Sequence, residues 1–435
     1  MTTIEQILEG IKSGRALYES VQGSVSVKNA ETSANKAKLA TNELYLGDNI
    51  TYMKGLIERG YSGAFKLLYI DPPFFTRSSF NASVNVTGSD GKSHRIHHLA
   101  YDDKFDRSLE YYIENMTARL LMMRDLLADD GLMWVHLDWH SSHYIKLVLD
   151  ELMGAGNFVN EIIWCYKSGG SGKRHFARKH DTILVYSKTK DYSINVPQEK
   201  SYNREYKAYR FKGVKEYQDE KGWYTLVNMK DVWNIDMVGR TSAERTGYAT
   251  QKPLELARRI IEASTVEGDL VGDFFCGSGS VLEAAYSLGR RFSGCDSEEL
   301  AAAMSRKRLK KAGAEFRFAK ETEAAAGSGK ADITVVSKDE LSDGRYLYKC
   351  RLTDFVPEIE TGSIRMKDRA YVYEAIKADR LQFADHVMVD PDYDGRFDCR
   401  YIFDLKTEEI AFISKGKAAL AVVDIFGKEY PAEVN

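Results

Sequence analysis

The chain has 435 residues, of which 43% are apolar and 29% are charged, and its formal net charge at pH 7 is −3. This balance is typical of a soluble globular protein and excludes both a disordered and a membrane-spanning class. The length predicts two or three domains. Residues 1–14 carry acidic side chains and lack the apolar stretch of a secretory signal, so we expect a cytoplasmic protein without membrane partners.

Charge is distributed unevenly along the chain. Residues 161–260 contain 20 lysines and arginines against 12 acidic residues, whereas residues 331–435 contain 15 against 21. A nucleic acid would therefore be attracted to the basic middle of the chain. The five cysteines are widely spaced, and the three histidines at 94, 97 and 98 lack partners at ligand spacing, so we predict no metal site.

Helix-like and strand-like runs alternate through residues 43–317. Nearly continuous apolar strands between helices indicate an α/β fold with a doubly wound, mostly parallel sheet. We predict a helical lead-in at 1–42, a linker at 318–331, and a C-terminal accessory domain at 332–435 that is small and either α/β or β-rich. The main predicted strands are Glu43–Leu46, Phe65–Ile70, Gly131–Leu137, Glu161–Tyr166, Leu270–Phe275 and Arg291–Asp296.

Two segments interrupt this alternation. Residues 80–105 hold glycine, serine, asparagine and three histidines without periodicity, which predicts a long loop. Residues 188–232 are rich in tyrosine and lysine and form a predicted insert within the α/β domain.

The tetrad Asp71-Pro72-Pro73-Phe74 directly follows a predicted buried strand, where open α/β sheets place their ligand crevice. The two prolines make it rigid. A carboxylate and a backbone carbonyl could accept both hydrogens of an aromatic amine, and Phe74 offers a face for an extruded base. An ordinary strand-terminating turn is the alternative for this pattern.

A second turn predicts a nucleotide-like ligand. Asp273 leads into Gly277-Ser278-Gly279 at the start of a predicted helix, and the glycines permit close approach of a ligand. The next strand ends at Asp296, about 20 residues later, where an acidic side chain holds a ribose in nucleotide-binding βαβ units. Leu282 stands at the third-glycine position and argues against a dinucleotide; a plain tight turn is the alternative.

Five motifs in this order resemble the β-class amino-methyltransferases of DNA, most closely the modification subunits of type III restriction systems. They are Gly47-Asp48-Asn49, the strand end and tetrad Tyr69–Phe74, Trp233-Asn234-Ile235, Thr250-Gln251-Lys252-Pro253 and Gly277-Ser278-Gly279. The resemblance implies a Rossmann-like methyltransferase fold with permuted motif order. The chain departs from the family pattern at Phe274, where proline is usual, at Ser280, where threonine is common, and at Phe75, where asparagine is usual.

The resemblance also implies S-adenosyl-L-methionine as the cofactor and the N6 amine of adenine in double-stranded DNA as the target. It assigns the ribose to Asp296, the cofactor adenine to Asp48, the methionine carboxylate to Lys252, and the target base to the tetrad. With them, we predict that Asp273, Phe275, Gly277 and Gly279 line the cofactor site.

Basic and aromatic residues alternate in two stretches of the basic middle. This pattern suits phosphate contacts combined with stacking, although a solvated helix face with an inward tyrosine stripe would look similar. We expect residues 188–232, together with the histidine-rich loop, to read the DNA sequence. The predicted DNA-binding residues are Lys173, Arg174, Arg178, Lys179, Arg204, Lys207, Arg210 and Lys212.

Two other functions stay open at this point. The first is methylation of the N4 amine of cytosine, since Asp71 favours adenine only by resemblance. The second is a DNA-recognition subunit of a restriction-modification or phage-defence complex that performs no transfer. A homodimer or a complex with a restriction or defence subunit is compatible with either function.

Overall fold

The computed structural model describes residues 1–23, 42–103, 108–167, 172–239, 241–248, 250–321, 329–395, 397, 399–406 and 408–434. Parts of three predicted segments lie outside these residues: 24–41 of the lead-in, 104–105 of the loop and 322–328 of the linker. Within the described ranges, no helix is both long and apolar enough to cross a membrane.

Up to Lys320 the described chain alternates helices and strands. The helices are α1 (Thr3–Gly23), α2 (Asn49–Glu58), α3 (Leu109–Leu126), α4 (Ser142–Leu149), α5 (Leu254–Ser264), α6 (Ser280–Ser287) and α7 (Glu299–Lys311). The strands are β1 (Asn42–Leu46), β2 (Phe65–Ile70), β3 (Ser79–Thr87), β4 (Ser93–Asp102), β5 (Leu127–Leu137), β6 (Phe158–Cys165), β7 (His180–Ser187), β8 (Gln198–Tyr202), β9 (Glu216–Asp219), β10 (Gly222–Asn228), β11 (Val232–Asn234), β12 (Leu270–Asp273), β13 (Arg291–Asp296) and β14 (Phe316–Lys320).

From Lys330 onward the described chain is mainly β. It comprises β15 (Lys330–Glu340), β16 (Tyr346–Val356), α8 (Arg369–Ala378), β17 (Ala384–Asp390), β18 (Tyr401–Asp404), β19 (Ile410–Ser414), β20 (Ala419–Asp424) and β21 (Glu429–Val434). These strands form one seven-stranded sheet in the order β18-β17-β20-β21-β15-β16-β19. The C-terminal domain is therefore of the β-rich kind.

Nine strands form the main sheet, in the order β11-β6-β7-β5-β2-β12-β13-β1-β14. Strand β7 runs antiparallel to its neighbours β5 and β6, and every other pair is parallel. This confirms the predicted mostly parallel sheet. Strands β2 and β12 lie side by side at its centre although about 200 residues separate them, because the chain returns to the centre after building one edge.

Helices cover both faces of the main sheet. Alternate side chains of β2 point to opposite faces, so Leu68 and Ile70 pack with helices α1 to α4, while Leu67 and Tyr69 pack with α5 and α6. Both cores consist of fully buried aliphatic and aromatic side chains. The predicted doubly wound architecture is confirmed.

The long loop predicted for residues 80–105 is wrong. Strands β3 and β4 pair as an antiparallel hairpin, from Ser79 opposite Asp102 to Thr87 opposite Ser93. The apolar alternation of the hairpin is weak because its inward face includes Ala82, His98 and Ala100. Its outer half is buried in another domain, since Val86 and Ile96 belong to the apolar core of the C-terminal sheet.

The hairpin histidines also face the C-terminal domain and not a DNA surface. The backbone N–H of His97 donates to Asp368 Oδ2 over 3.0 Å, and the ring of His94 stacks on Tyr371 with centroids 4.1 Å apart. Burial lowers the pKa of His98 to about 4, so this side chain is uncharged at neutral pH. The expectation that these histidines read the DNA is therefore corrected.

The insert folds as a three-stranded antiparallel sheet in the order β8-β10-β9. The solvated helix considered as an alternative for its basic and aromatic residues is absent from the described insert. Tyr202, Tyr224 and Tyr217 lie directly opposite one another across the three strands. Their ring centroids are 5.6 Å apart in both neighbouring pairs, so they form one aromatic row.

The C-terminal domain docks on helix α7 through ion pairs. Arg306, which is 1% exposed, donates from Nη1 to Glu429 Oε1 over 2.6 Å, and Lys307 pairs with both Asp385 and Asp404.

The linker predicted for residues 318–331 is shorter at both ends than predicted. Residues 318–320 belong to β14, which pairs with β1, and β15 begins at residue 330.

Candidate active site

The two predicted motifs meet because their strands are neighbours. Leu68 of β2 lies opposite Gly272 of β12, and both strands run in the same direction. Asp71 follows β2 and Asp273 ends β12, so both carboxyl groups reach the carboxyl edge of the sheet. A cleft of about 270 Å³ opens at this edge. Open α/β sheets bind ligands at such a position.

The cleft gathers the predicted site residues. It is lined by the four tetrad residues and by six of the predicted cofactor residues, which are Asp48, Lys252, Asp273, Phe275, Gly277 and Asp296. Gly279 does not line the cleft but begins helix α6 just behind it. The structure thus brings together residues from positions 48 to 296 of the sequence.

Asp71 has one engaged and one unengaged carboxylate oxygen. Its Oδ2 accepts a hydrogen bond from Lys252 Nζ, and the two side chains are only 17% and 12% exposed. Its Oδ1 is buried and accepts no hydrogen bond from any described residue. A buried oxygen in that condition is costly unless a ligand donates to it.

The tetrad is held rigid from behind. The Tyr112 hydroxyl donates to the Pro73 carbonyl over 3.0 Å. The next residue, Phe75, has a φ of 63°, in the left-handed region that a bulky side chain rarely adopts. Asp103, which is 1% exposed, fixes this turn by accepting from the backbone N–H groups of Phe75 and Thr76 over 3.2 and 2.8 Å.

A buried polar chain supports Phe74. The Phe74 ring stacks on His136 with centroids 6.0 Å apart and an interplanar angle of 18°. His136 is hydrogen-bonded through Nδ1 to the Tyr69 hydroxyl at 2.8 Å and through Nε2 to Asp181 Oδ2 at 3.1 Å. Burial acts to raise the pKa of Asp181, but the hydrogen bond and charge of His136 outweigh it and hold that pKa below its usual value.

The glycine turn is shaped around the second half of the cleft. Gly277 and Gly279 have φ values of 50° and 75°, and a Cβ on Gly279 would meet Ser305 Oγ at 2.7 Å. Asp296 fixes the turn, since its Oδ2 accepts from the Gly277 N–H over 2.8 Å and its Oδ1 from the Glu298 N–H over 3.0 Å. Each carboxylate oxygen has a further lone pair that a ligand hydroxyl could use.

Burial and mutual repulsion perturb two of the carboxyl groups. Burial raises the pKa of Asp273 well above its usual value, and the nearby carboxylates of Asp71 and Asp296 raise it further. Burial likewise raises the pKa of Asp296, although backbone N–H groups oppose the shift. Five carboxyl groups line the cleft, those of Asp48, Asp71, Asp273, Asp296 and Glu298, against the two cations Arg119 and Lys252. This excess favours a cationic ligand, because a positive charge would stabilise the ionised carboxylates.

The side chain of Asp48 makes hydrogen bonds that stabilise the fold, in addition to the cofactor contact predicted for it. Its Oδ1 accepts from the N–H groups of Ile50 and Thr51 and caps helix α2, and its Oδ2 accepts from Arg119 over 2.9 Å. Arg119 lines the same cleft. The pair Asp48–Arg119 therefore forms one wall of the cleft.

Sequence reasoning missed two further aromatic residues of the cleft besides Tyr112. Tyr101, from the base of the β3–β4 hairpin, and Tyr248 both line it, with ring centroids 6.4 Å apart. Only the Tyr-Ala-Thr-Gln-Lys-Pro context of Tyr248 gave a local signal. Tyr101 lies in the segment interpreted as a loop, so no local pattern could identify it.

Among the predicted DNA-binding residues, Arg178 has the most defined contact. Its guanidinium carbon lies 3.8 Å from the ring centroid of Trp139, which is 45% exposed and follows β5 at the edge that carries the tetrad. Lys179 is half-buried. The remaining residues of this set, Lys173, Arg174, Arg204, Lys207, Arg210 and Lys212, are exposed.

The site combines a doubly wound sheet, a rigid tetrad of hydrogen-bond acceptors and a glycine turn. This combination is typical of enzymes that bind a nucleoside-bearing ligand at the glycine turn and a planar amine at the tetrad. The family model described as DNA methylase, N6_N4_Mtase, matches residues 65–307. The chain belongs to this family of DNA methylases.

Two relatives and one solved structure illustrate the similarity. The chain is 31% identical over 336 residues to the type II methyltransferase M.EcaI of Enterobacter cloacae, and the alignment covers 62% of this chain and 69% of that protein. It is 26% identical over 166 residues to the type III restriction-modification enzyme EcoP15I Mod subunit of Escherichia coli, covering 35% and 25%. The structure titled PvuII DNA methyltransferase (cytosine-N4-specific) aligns with a TM-score of 0.43 at 15% identity, covering 64% of this chain and 95% of that one. The predicted resemblance to amino-methyltransferases of DNA, including type III modification subunits, is confirmed.

Proposed function

We propose that the protein transfers a methyl group from S-adenosyl-L-methionine to the N6 amine of adenine in double-stranded DNA. The observation that carries this proposal is the buried Asp71 Oδ1, an acceptor without a donor in the described chain, at the mouth of the cleft. An amine of an extruded base would supply the missing donor.

The tetrad residues have separate tasks in this reaction. Asp71 Oδ1 accepts one amino hydrogen and a backbone carbonyl accepts the other, which localises the nitrogen lone pair. Because Tyr112 already donates to the Pro73 carbonyl, we assign the second acceptor to Pro72. Phe74 holds the face of the base, and its stacking on His136 fixes the ring plane. Asp71 is also placed to take the proton that the nitrogen loses.

The other half of the cleft fits the cofactor. S-adenosyl-L-methionine supplies an activated methyl group and carries a sulfonium and an ammonium cation. The buried carboxyl of Asp273 and the acidic surroundings suit these cations, and Asp296 suits the ribose hydroxyls. Phe275 and the Gly277 turn line the same side, and Gly279 allows the turn. We assign the adenine side of the cofactor to the wall that Asp48 forms.

Lys252 stands between the two halves. It pairs with Asp71, and its backbone carbonyl accepts from Ser280 Oγ over 2.8 Å at the start of helix α6. This position lets its ammonium group neutralise the methionine carboxylate of the cofactor while it remains close to the catalytic aspartate. The lysine thus links occupancy of the cofactor half to the charge state around Asp71.

DNA recognition is assigned to the insert and to the basic residues beside the cleft. Residues 188–232 carry Arg204, Lys207, Arg210 and Lys212, which suit phosphate contacts around the aromatic row. Lys173, Arg174, Arg178 and Lys179 suit phosphates nearer to the tetrad. Because one relative is named as the Mod subunit of a restriction-modification enzyme, we also propose a restriction subunit as a partner.

The test is a transfer assay with tritiated S-adenosyl-L-methionine and duplex DNA, followed by chromatography of the digested nucleosides. Label in N6-methyladenine supports the proposal, and label in N4-methylcytosine would replace the adenine assignment with its cytosine counterpart. DNA binding without any transfer would instead identify a recognition subunit. Modified-base sequencing of DNA from cells that express the protein then gives the methylated site.

The recognition role of the insert has its own test. Replacing residues 188–232 with the corresponding segment of a methyltransferase of different specificity should change the methylated site. The matched control is Lys207→Gln in the same insert, which should weaken binding to all sequences alike and lower its salt dependence without changing the site. A chimera that methylates the original site contradicts the assignment.

A further inference from the structure

The edge that carries the tetrad has a second set of aromatic and cationic side chains, which faces solvent. Phe176 is 97% exposed, and Trp139 is 45% exposed. Arg178 lies 3.8 Å over the Trp139 ring, and His140 lies 3.7 Å from it on the other side of the cluster. Phe176 has no role in folding, because almost none of its surface is buried against the chain, whereas Trp139 packs against Arg178 and His140.

The sequence around Phe176 is cationic. Lys173, Arg174, His175 and Arg178 are all exposed, and no acidic residue lies among them. An isolated exposed phenylalanine is ordinary on a protein surface. A phenylalanine at the centre of a basic segment, however, is suited to bind a polyanion whose interior is apolar, because the cations contact the charged groups and the ring contacts the interior. Duplex DNA has this composition, with phosphates outside and stacked bases inside.

A chain of contacts connects this segment to the ring of Phe74, which would hold the extruded base. Asp181 follows the segment at the start of β7 and hydrogen-bonds His136, and His136 stacks on Phe74. On the other side, Trp139 follows β5, whose Val135 lies opposite Ile70, the residue before the tetrad. The described part of the connection between β6 and β7, which carries Phe176, therefore lies at the same edge of the sheet as the tetrad, next to Trp139.

We propose that Phe176 is a wedge that enters the base stack of the DNA at the gap left by the flipped target. Arg178, held on Trp139, and the neighbouring cations would grip the phosphates on either side of the gap. Extruding a base requires loss of its stacking, and apolar side chains inserted between bases are a common means of compensating for it. The inference rests on the proposed function, since it assigns how the same site gains access to its target.

Phe176→Ala is the test variant, and its high exposure means that the substitution leaves the fold intact. On a fully paired duplex that carries the methylated site, we expect single-turnover methyl transfer to slow by about 10- to 100-fold. On a duplex with a mismatch at the target adenine, where the base is already partly unstacked, the variant should recover to within a few-fold of the wild type. Phe176→Leu should keep most activity on both duplexes.

Phe211→Ala is the matched control, because Phe211 is 62% exposed and stands between Arg210 and Lys212 in the insert. Any loss in this control should be the same on paired and mismatched duplexes. Equal rates for Phe176→Ala and the wild type on the paired duplex, or an equal loss on both duplexes, would overturn the wedge. A wild-type protein that transfers no methyl group to any duplex would refute the proposed function instead.

Discussion

Asp71→Asn removes one charge from the cleft while keeping the size of the side chain. The amide can still present an oxygen to Lys252, but its NH₂ group then replaces the buried Oδ1 that the target amine would use. Loss of one preorganised charge-stabilising group in an active site costs about 3–4 kcal/mol in the transition state. At about 1.4 kcal/mol for each factor of ten, we expect the transfer rate to fall by about 10²- to 10³-fold.

The assay is single-turnover transfer of tritium from the labelled cofactor to duplex DNA, with cofactor affinity measured by calorimetry. Affinity should change little, because Asp71 lies on the base side of Lys252. Asp150→Asn is the control: it weakens the Lys146–Asp150 ion pair on helix α4, where the Nζ to Oδ2 distance is 2.7 Å, without touching the cleft. A rate above one tenth of the wild-type rate in Asp71→Asn would refute the reasoning.

Two further predictions concern the C-terminal domain. Burial raises the pKa of Asp424 from 3.8 to about 7, so its contribution to stability is full below about pH 4 and is lost as the pH rises through 7. The isosteric Asp424→Asn variant lacks this titration. Its free energy of unfolding in urea, compared with that of the wild type, should therefore increase by about 3 kcal/mol between pH 5 and pH 8. A difference that stays constant with pH would contradict the raised pKa. Ile96→Ala should lower stability by about 2–5 kcal/mol and also slow methyl transfer, because Ile96 is fully buried in the C-terminal core and shares strand β4 with Tyr101 of the cleft. The exposed Val336→Ala is its control, and a destabilised variant with wild-type transfer in cofactor-saturated assays would show that the hairpin and the cleft are uncoupled.

Local sequence patterns predicted the parts of the site that local chemistry shapes. Asp71 to Phe74 and Gly277 to Asp296 stand at strand ends, and their backbone geometry follows from proline, glycine and the apolar runs before them. The parallel sheet then brings the two motifs to one edge. That much follows from the order of elements alone.

The supporting residues could not be predicted in this way. Asp103 and Tyr112 act through side chains that meet their partners only after the sheet has formed, and neither belongs to a distinctive local motif. Phe75 shows why such support is needed. It has a left-handed backbone conformation at a position where the family usually has asparagine, a residue that tolerates this conformation. Its contacts with Asp103 hold it there.

The hairpin was misread for a different reason. One face of the hairpin is turned inward along both strands, through Ala82, Val84 and Val86 on β3 and Ile96, His98 and Ala100 on β4, but half of these residues are alanine or histidine, so the apolar alternation in the sequence is weak. Ala82 and Ala100 pack towards Tyr248 of the cleft, while Val86 and Ile96 pack into the C-terminal core. A search for alternating large apolar residues does not detect a buried face of this composition.

The shared core of the hairpin and the C-terminal domain also sets an order of events during synthesis. Val86 and Ile96 leave the ribosome more than 300 residues before Tyr430, which belongs to the same core. At about 5–20 residues per second, the hairpin waits on the order of tens of seconds for its partner. Until strands β20 and β21 arrive, the half of the hairpin that carries Val86 and Ile96 lacks the core into which it packs. A nascent chain that has not yet reached β21 would therefore hold the cleft motifs beside a hairpin that is only partly packed.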